Sequence, residues 1–296
     1  MKTKFTIKDF NNTYKTEDDC LNKIFKDRYG DLSECPECGR KTTFHKVSNR
    51  RCYSCACCGH QLHPLANTIF HKSPTSLKSW FYAIFLFSCS KNGVSAKELE
   101  RQLGTTYKCA YRIAKQIRKL FDDNIDALSN IVEIDETYYG GKEVNKHKNK
   151  RIENTQGRSL KSKTPIVGVV ERQGNITAKV VKNTQDSTIR TFLKNNVNIN
   201  STINTDEYRS YNHINKDGYI HNRVNHGQKQ YVKGSNHTNT IEGFWSQLKR
   251  SINGTYHMVS PKHLQSYVNE FCFRYNLRNS EVPIFHFVIS KAGMIF

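Results

Sequence analysis

Three acidic residues, Asp135, Asp206 and Glu242, lie in segments that have different local patterns. Asp135 lies in the run Ile131-Val-Glu-Ile-Asp-Glu-Thr-Tyr-Tyr-Gly-Gly141, whose β-branched residues predict a strand and whose glycine pair predicts a turn. Asp206 follows the β-like run Ser201-Thr-Ile-Asn204, and Glu242 lies in a segment with helical spacing, 35 residues beyond Asp206. A carboxylate inside a strand is costly unless its desolvation is compensated, and a divalent metal is the usual compensation.

Carboxylates that converge from three separate elements can hold two Mg²⁺ or Mn²⁺ ions about 4 Å apart. Such a pair activates the attacking oxygen and stabilises the leaving oxygen in an in-line displacement at phosphorus. Lys249 follows Glu242 by two helical turns, so it shares a helix face with that acid. It is predicted to contact a phosphate group near the phosphorus atom that is attacked. The alternative interpretation is that Asp135 merely caps its strand while Glu133 and Glu136 face water.

The elements that would position these acids follow from alternation and helical spacing. Residues 164–170 and 176–181 predict a hairpin, and residues 219–224 predict a fifth strand. Helices are predicted over residues 186–193 and 261–278. Three strands, a helix, a strand, a helix or loop, a strand and a helix form the order expected of an α/β domain with an RNase H-like mixed sheet flanked by helices.

Four cysteines have the spacing of a structural metal site. Cys35-Pro-Glu-Cys38-Gly39 and Cys55-Ala-Cys-Cys58-Gly59 are two Cys-x-x-Cys knuckles, and each can present two thiolates to one tetrahedral Zn²⁺. Cys52 and Cys55 form a competing second knuckle. The Cys55/Cys58 choice is favoured because it alone places a glycine directly after the second ligand, as Gly39 follows Cys38. We therefore predict a zinc ribbon over residues 31–66.

A helix-turn-helix unit is predicted over residues 74–125, after an amphipathic helical segment over residues 1–30. Ser95 and Glu98 form a capping-box signature that opens a helix, and Gly104 turns the chain into a second helix from Thr105. That helix is the candidate DNA-reading element. Its basic residues predicted to point outward and bind DNA are Lys108, Arg112, Lys115 and Lys119.

The composition indicates a polyanionic partner. The 296 residues carry a formal net charge of +20, and the basic residues are spread evenly along the chain, which favours DNA over a membrane surface. The longest apolar run, residues 80–89, is too short to span a bilayer, and Met1-Lys-Thr-Lys-Phe5 is no signal-peptide pattern. We expect an intracellular protein with no membrane partner.

A basic loop is predicted over residues 142–163, where eight Lys or Arg residues face two Glu residues without apolar periodicity. This segment is either a solvated surface loop or an electrostatic guide for DNA beside the acids. The residues assigned to DNA contact here are Lys148, Lys150 and Arg151, and Arg250 is added from the helix that carries Glu242.

The order of these motifs and their local sequences resemble those of the IS1595 (ISXO2-like) family of DDE transposases. That family is related to the eukaryotic Merlin elements. The resemblance lies in Asp135-Glu-Thr-Tyr-Tyr-Gly-Gly-Lys142, Thr205-Asp-Glu-Tyr-Arg-Ser-Tyr211 and His237-Thr-Asn-Thr-Ile-Glu-Gly-Phe-Trp-Ser246. It extends over nearly the whole chain. It implies an RNase H-like DDE domain over residues 130–296. In that domain Asp135, Asp206 and Glu242 are the Mg²⁺ ligands, and Lys249 matches the lysine that follows the third acid.

The resemblance also implies a function. The expected transposase binds terminal inverted repeats, cleaves the DNA ends and joins them to target DNA, as a homodimer or higher oligomer on paired ends. It would act in the cytoplasm or nucleoid of a bacterium, or in the nucleus if the element is Merlin-like. Family members vary between Asn, His and Glu at the third acid, so His237 and Asn239 remain alternatives to Glu242. A non-catalytic DNA-binding regulator and a nuclease that only hydrolyses remain alternative functions.

Overall fold

The computed structural model describes residues 4–123, 125–141, 143–153, 159–224 and 237–294. They form two compact units, of which the first contains the residues up to Phe121 together with those from Asn279 onward. The second unit runs from Asp122 to Arg278. The sequence analysis assigned all residues from 130 to 296 to the catalytic domain, whereas residues 279–294 belong to the N-terminal unit.

The N-terminal unit is mainly helical and includes one small sheet. The two N-terminal helices replace the single amphipathic helix that was expected, because Thr6 with Asp9 and Thr16 with Asp19 each form a complete capping box. The elements are α1 (Ile7–Thr13), α2 (Glu17–Tyr29), β1 (Phe44–Lys46), β2 (Tyr53–Cys55), β3 (Gln61–Leu62), α3 (Leu77–Cys89), α4 (Ala96–Leu103), α5 (Tyr107–Lys119) and α9 (Ile284–Ala292).

An aromatic cluster explains why the last helix belongs to this unit. Phe285 of α9 stacks on Phe5 with ring centroids 4.6 Å apart, and it also meets Phe10 and Tyr14 edge-on or tilted. Phe285 and Phe10 are both about 1% exposed. Burial of aromatic surface on this scale is a main source of core stability, so α9 completes the core around α1 and α3.

The predicted helix-turn-helix pair is present as α4 and α5. Gly104 ends α4 in a left-handed conformation with φ of +60°, which favours glycine. The hydroxyl of Thr106 caps α5, so the helix begins at Tyr107, two residues after the predicted start at Thr105.

The second unit is built on a five-stranded mixed sheet. Its strands lie in the order β6-β5-β4-β7-β8. The β4–β5 and β5–β6 pairs are antiparallel, whereas the β4–β7 and β7–β8 pairs are parallel. The predicted mixed α/β architecture is therefore confirmed. The elements are β4 (Ile131–Tyr139), β5 (Thr164–Glu171), β6 (Ile176–Val180), α6 (Asp186–Asn196), β7 (Thr202–Thr205), β8 (Ile220–Arg223), α7 (Asn239–Ser251) and α8 (Pro261–Asn276).

Helices cover both faces of this sheet. One face packs against α6 and contains Val132 and Ile134 of β4. The opposite face packs against α7 and α8 through Ile241, Trp245 and Leu264, which are at most 3% exposed. Since side chains alternate along a strand, Glu133 and Asp135 point to the face that carries α7. None of the helices in the described ranges is long and apolar enough to cross a membrane.

Candidate functional site

Asp135 and Asp206 are brought together by the parallel pairing of β4, the central strand, with its neighbour β7. Asp135 lies in the middle of β4, and Asp206 follows directly after β7. Glu133 is paired with Asn204 across these strands. Two residues further along, the same register brings Asp206 beside Asp135 on the face that carries α7.

Glu242 reaches this face from the first turn of α7. Burial, together with the negative charges of Glu136, Asp206 and Glu242, raises the pKa of Asp135 to about 8. A carboxyl group that burial and neighbouring carboxylates hold protonated is stabilised as an anion by a cation among them. The donor set is all oxygen, which suits Mg²⁺ or Mn²⁺.

The three acids do not form a compact ligand group by themselves. Glu242 is exposed, and its Oε1 accepts a hydrogen bond of 2.8 Å from the Thr238 hydroxyl. Oδ1 of Asp206 accepts one of 2.9 Å from the Tyr208 backbone N–H. In the part of the chain that the structure describes, the one compact group of potential metal ligands is made of cysteines.

A glycine beside Asp135 sets how closely α7 approaches the sheet. Gly168 of β5 pairs with Asp135, and a Cβ atom added to it would lie 2.7 Å from Cη2 of Trp245. Real Cβ atoms do not approach other atoms so closely. The absence of a side chain at Gly168 therefore lets Trp245 of α7 pack directly on the sheet beside Asp135.

Lys249 lies close enough to Asp135 for their charges to interact. Burial lowers the pKa of Lys249, while the charge of Asp135 opposes that shift and the charge of Lys163 adds to it. Lys163 is thus a second ammonium group close to Lys249. The sequence analysis placed it only in the basic loop, because nothing local distinguishes it from the other lysines there.

The alternative that Glu133 and Glu136 face water is wrong. Glu136 is 7% exposed and accepts a hydrogen bond of 2.5 Å from the hydroxyl of Tyr211. Glu133 is fully buried and is bonded to Arg172 and Thr240. The sequence did contain a sign that Glu133 points into the protein. Glu133 precedes Asp135 by two residues, which puts both side chains on the same face of the strand.

The cysteine cluster lies in the N-terminal unit and is built from two matching turns. Gly39 and Gly59, with φ of +65° and +76°, each donate a backbone hydrogen bond to the carbonyl of the first cysteine of their knuckle. The ligand atoms of Cys35, Cys38, Cys55 and Cys58 all lie within 4.8 Å of one another. Four thiolates in such a group suit tetrahedral Zn²⁺. The thiol of Cys52 is directed elsewhere, to Oε1 of Gln61 at 3.6 Å, so the geometry favours Cys55/Cys58 as the second knuckle.

Comparison with known proteins identifies the family. The ISXO2-like transposase domain matches residues 127–276, which is just over half of the chain. This chain belongs to the ISXO2-like transposase family.

Two curated relatives agree with this assignment. The ISXO2-like chain is 26% identical, over 88% of its own length and 92% of the relative's, to an uncharacterized protein in transposable element ISH50 of Halobacterium salinarum. It is 30% identical to an uncharacterized transposase-like protein of Haemophilus influenzae, over 35% of its own length and 80% of the relative's. The family consists of nucleic-acid-processing enzymes.

One solved structure shows a weak likeness to this family member. A chain of the simian T-cell lymphotropic virus intasome in complex with the PP2A regulatory subunit B56 gamma matches 65% of each chain at 16% identity, with a TM-score of 0.30. A score at that level does not establish a shared fold, so no conclusion depends on it.

The basic residues of α5 in this transposase do not all face outward. Lys108, Lys115 and Lys119 are exposed. Arg112 is half-buried, because its guanidinium donates to the Ser73 hydroxyl at 3.0 Å and lies over the Trp80 ring. Its predicted outward orientation is therefore wrong, since it helps to hold α5 in its own unit.

The basic loop of the transposase is structured by its own arginine. Residues 143–153 and 159–163 are described, and Lys142 and residues 154–158 lie outside the described residues. Short 3₁₀ turns form at Glu143–Asn145 and Lys148–Lys150. Arg151 donates to the carbonyl oxygens of Lys146 and Val144 at 3.0 and 2.8 Å, whereas Lys148 and Lys150 point to solvent.

Proposed function

We propose that this chain is a DDE transposase that binds the terminal inverted repeats of its element, cleaves the DNA ends and joins them to target DNA. The observation that supports the proposal is that Asp135, Asp206 and Glu242 come from two strands and a helix and lie close enough that, after burial, the charges of Asp206 and Glu242 help to raise the pKa of Asp135. A buried carboxyl group among like charges is a poor structural element but a suitable cation ligand.

The sheet supports an RNase H-like assignment for the catalytic domain. The first three strands form an antiparallel meander, and the fourth and fifth are added in parallel on the other side of the first. This arrangement puts the first strand, which carries Asp135, at the centre, with the fourth strand, which Asp206 follows, directly beside it. Residues 122–278 include all of these elements, so we propose this range, rather than 130–296, as the catalytic domain.

In the proposed mechanism Asp135, Asp206 and Glu242 hold two Mg²⁺ ions. When bound, these ions supply charge stabilisation to the attacking and leaving oxygens of an in-line displacement at phosphorus. Lys249, whose charge interacts with that of Asp135, and the neighbouring Lys163 are proposed to bind DNA phosphate oxygens, which would draw the backbone of the substrate toward the carboxylates. Fixing the phosphate relative to the three acids removes part of the entropic cost of reaction.

The N-terminal unit is proposed to supply recognition. Cys35, Cys38, Cys55 and Cys58 hold one Zn²⁺, which stabilises a ribbon with little core of its own. The α5 helix reads the terminal repeat, with phosphate contacts from its exposed lysines. These are Lys108, Lys115 and Lys119. Arg112 is left out because it is held by Ser73 and Trp80.

Contacts that do not depend on DNA sequence are assigned to the catalytic unit. Lys148 and Lys150 of the basic loop and Arg250 of α7 are exposed and suit phosphate binding. Arg151 maintains the shape of that loop. Because both ends of an element must be cut and joined, we propose that the active form is a homodimer or higher oligomer on paired ends.

The decisive experiment measures end cleavage and joining on a labelled terminal repeat in the presence of Mg²⁺. Charge stabilisation by the metal ions amounts to several kcal/mol. Asp135→Asn, Asp206→Asn and Glu242→Gln should therefore each lower cleavage by about 10³-fold or more. Each variant should bind repeat DNA as tightly as the wild type. Glu207→Gln is the matched control, since Glu207 is exposed and adjoins Asp206 in the chain.

Each alternative function predicts a different result. A non-catalytic DNA-binding regulator would bind the repeat but would not cleave it, even as wild type. A nuclease that only hydrolyses would cleave the ends but leave the new 3′ ends unjoined to target DNA. Near wild-type cleavage by Glu242→Gln alone would remove that residue from the site and direct attention to His237 or Asn239.

A further inference from the structure

Glu133 is a buried acid that no part of the proposed reaction uses. It lies on the same face of β4 as Asp135, two residues earlier, and is 0% exposed. Both of its carboxylate oxygens accept hydrogen bonds in this buried position. Oε1 accepts from Nε of Arg172 at 2.8 Å and from the Thr240 hydroxyl at 2.9 Å. Oε2 accepts from the backbone N–H groups of Thr240 and Ile241 at 2.9 and 3.1 Å.

Two of these bonds cap α7 from a distance of more than 100 residues in the chain. The first N–H groups of a helix have no partners within the helix, and a side chain just before the helix usually satisfies them. In α7 the preceding residue, Thr238, directs its hydroxyl to Glu242 instead. Glu133 takes over the capping role, and its carboxylate also lies at the positive end of the helix dipole.

Arg172 fixes the chain that enters the same helix. Its guanidinium binds Glu133 through Nε and donates from NH2 to the carbonyl oxygen of His237 at 2.9 Å. Its backbone N–H donates to the carbonyl of Ile131, the first residue of β4, at 2.9 Å. His237 also places Nδ1 3.2 Å from Oε1 of Glu133. The start of α7 is thus tied to β4 from two directions.

The remaining contacts of α7 do not define its position so closely. Ile241, Trp245 and Leu248 bury its inner face against the sheet, and apolar contacts of this kind are non-directional. Hydrogen bonds to Thr240 and Ile241 are directional, and these two residues immediately precede Glu242. They fix the height and rotation of the turn that carries the third acid.

We propose that Glu133 is a positioning residue that sets the distance between Asp135 and Glu242, and that it touches neither metal nor DNA. The inference rests on the proposed function, because it assigns Glu133 to the metal site of that reaction. In this arrangement β4 carries Asp135 directly, and it positions Glu242 through the hydrogen bonds by which Glu133 caps α7. Residues that hold metal ligands in place typically change metal affinity or activity by about 10–100-fold.

The test uses the zinc-loaded full chain and two changes of different severity. Glu133→Gln keeps the shape of the side chain but turns one acceptor into a donor that faces an N–H group. Thr240→Val removes a single hydrogen bond to Glu133 and keeps the shape of residue 240. It therefore still tests the proposal if Glu133→Gln does not fold. The control is Glu270→Gln, because Glu270 is equally buried, is paired with Arg274 at 2.7 Å and belongs to the same unit.

Four quantities are measured: the Kd for Mn²⁺ from electron paramagnetic resonance titration, the thermal midpoint without Mg²⁺ or Mn²⁺, and kcat and KM for end cleavage. For Glu133→Gln we expect the Kd for Mn²⁺ to rise and kcat to fall by about 10–100-fold, with KM for DNA unchanged. Thr240→Val should shift Kd and kcat in the same direction by a smaller factor. Glu270→Gln should lower the thermal midpoint as much or more, yet leave the Kd for Mn²⁺ at its wild-type value.

A purely structural cap gives a different pattern. If Glu133→Gln and Thr240→Val lower the thermal midpoint but keep the wild-type Kd for Mn²⁺, the positioning role is rejected. The same follows if Glu270→Gln raises that Kd equally. Asp135→Asn separates this outcome from failure of the proposed function. If Asp135→Asn leaves Mn²⁺ binding intact, the metal site itself is misassigned, whereas loss of binding in Asp135→Asn alone rejects only the role of Glu133.

Discussion

The cysteine cluster and the carboxylate site differ in how much of the fold each needs. The four thiols are gathered by two local turns, and their ligand atoms lie within 4.8 Å of one another. The three acids come from β4, the end of β7 and the start of α7, and their mutual repulsion contributes to the raised pKa of Asp135. The first site is assembled by short-range geometry, whereas the second depends on distant packing and on a cation to offset like charges.

The largest expected effect is the loss of zinc from the cysteine cluster. Cys58→Ser should reduce bound zinc from one equivalent to well below it, since structural zinc contributes about 10–16 kcal/mol in small zinc domains. The ribbon should then lose its fold, while residues 122–278 keep theirs. Elemental analysis and hydrogen exchange measure the two effects. Cys52→Ser is the control and should retain zinc, and loss of zinc from Cys52→Ser would contradict the assigned knuckle.

A smaller effect is expected from the packing that the carboxylate site needs. Gly168→Ala would place a Cβ atom 2.7 Å from Cη2 of Trp245 and so push α7 away from the sheet. A displacement of about 1 Å can cost about 10²-fold in rate, so end cleavage should fall by about 10–100-fold with the zinc content unchanged. Gly254→Ala is the control, because the space around that position is open.

The double variant Gly168→Ala/Trp245→Phe sharpens the same prediction. The smaller ring should relieve the contact and restore part of the lost cleavage, which a double-mutant cycle detects as a coupling energy. Independent effects of the two changes would show that Gly168 does not act through Trp245.

The smallest effect is on the stability of the metal-free protein. The pKa of Asp135 is about 8 in the folded chain, against a reference value of 3.8. Between these pH values the folded state keeps a proton that the unfolded state releases, so stability falls as pH rises from about 4 to about 8. Asp135→Asn cannot ionise and should therefore be more stable than the wild type above pH 8.

Thermal melts without added Mg²⁺, on protein that keeps its zinc, measure this gain. Each kcal/mol corresponds to about 2–4 °C for a unit of this size, and the difference should vanish below about pH 4, where Asp135 is neutral in both the folded and the unfolded state. At pH 8.5, added Mg²⁺ should make the wild type more stable than Asp135→Asn. An Asn variant that is no more stable at high pH would mean that the acids do not repel one another in the folded chain.

The same contrast between short-range and long-range structure explains which features the sequence could predict. The cysteine spacing, the strand at Asp135 and the helix-turn-helix pair depend on local patterns, and the structure contains each of them. The acid sites follow from strand alternation and helix placement. By contrast, Arg112 was predicted to face outward because helical periodicity does not register Ser73 and Trp80, which lie more than 30 residues away.

Glu133 shows the same limit from the opposite direction. Its position on the acid-bearing face could be predicted, yet its burial could not, because a glutamate is buried only where compensating donors are available. Those donors are Arg172 and the start of α7, and no periodicity in the strand reports them. Likewise, α9 follows the second unit in the chain but completes the core of the N-terminal unit, since an apolar stripe does not specify its partner.

The placement of α9 has a consequence for synthesis on the ribosome. Domains generally fold as units, and N-terminal ones usually fold first as the chain emerges. Here the aromatic core of the N-terminal unit lacks Phe285 until the entire second unit has been translated. The N-terminal unit should therefore mature last, and a nascent chain stalled before residue 284 should expose Phe5 and Phe10 to chaperones.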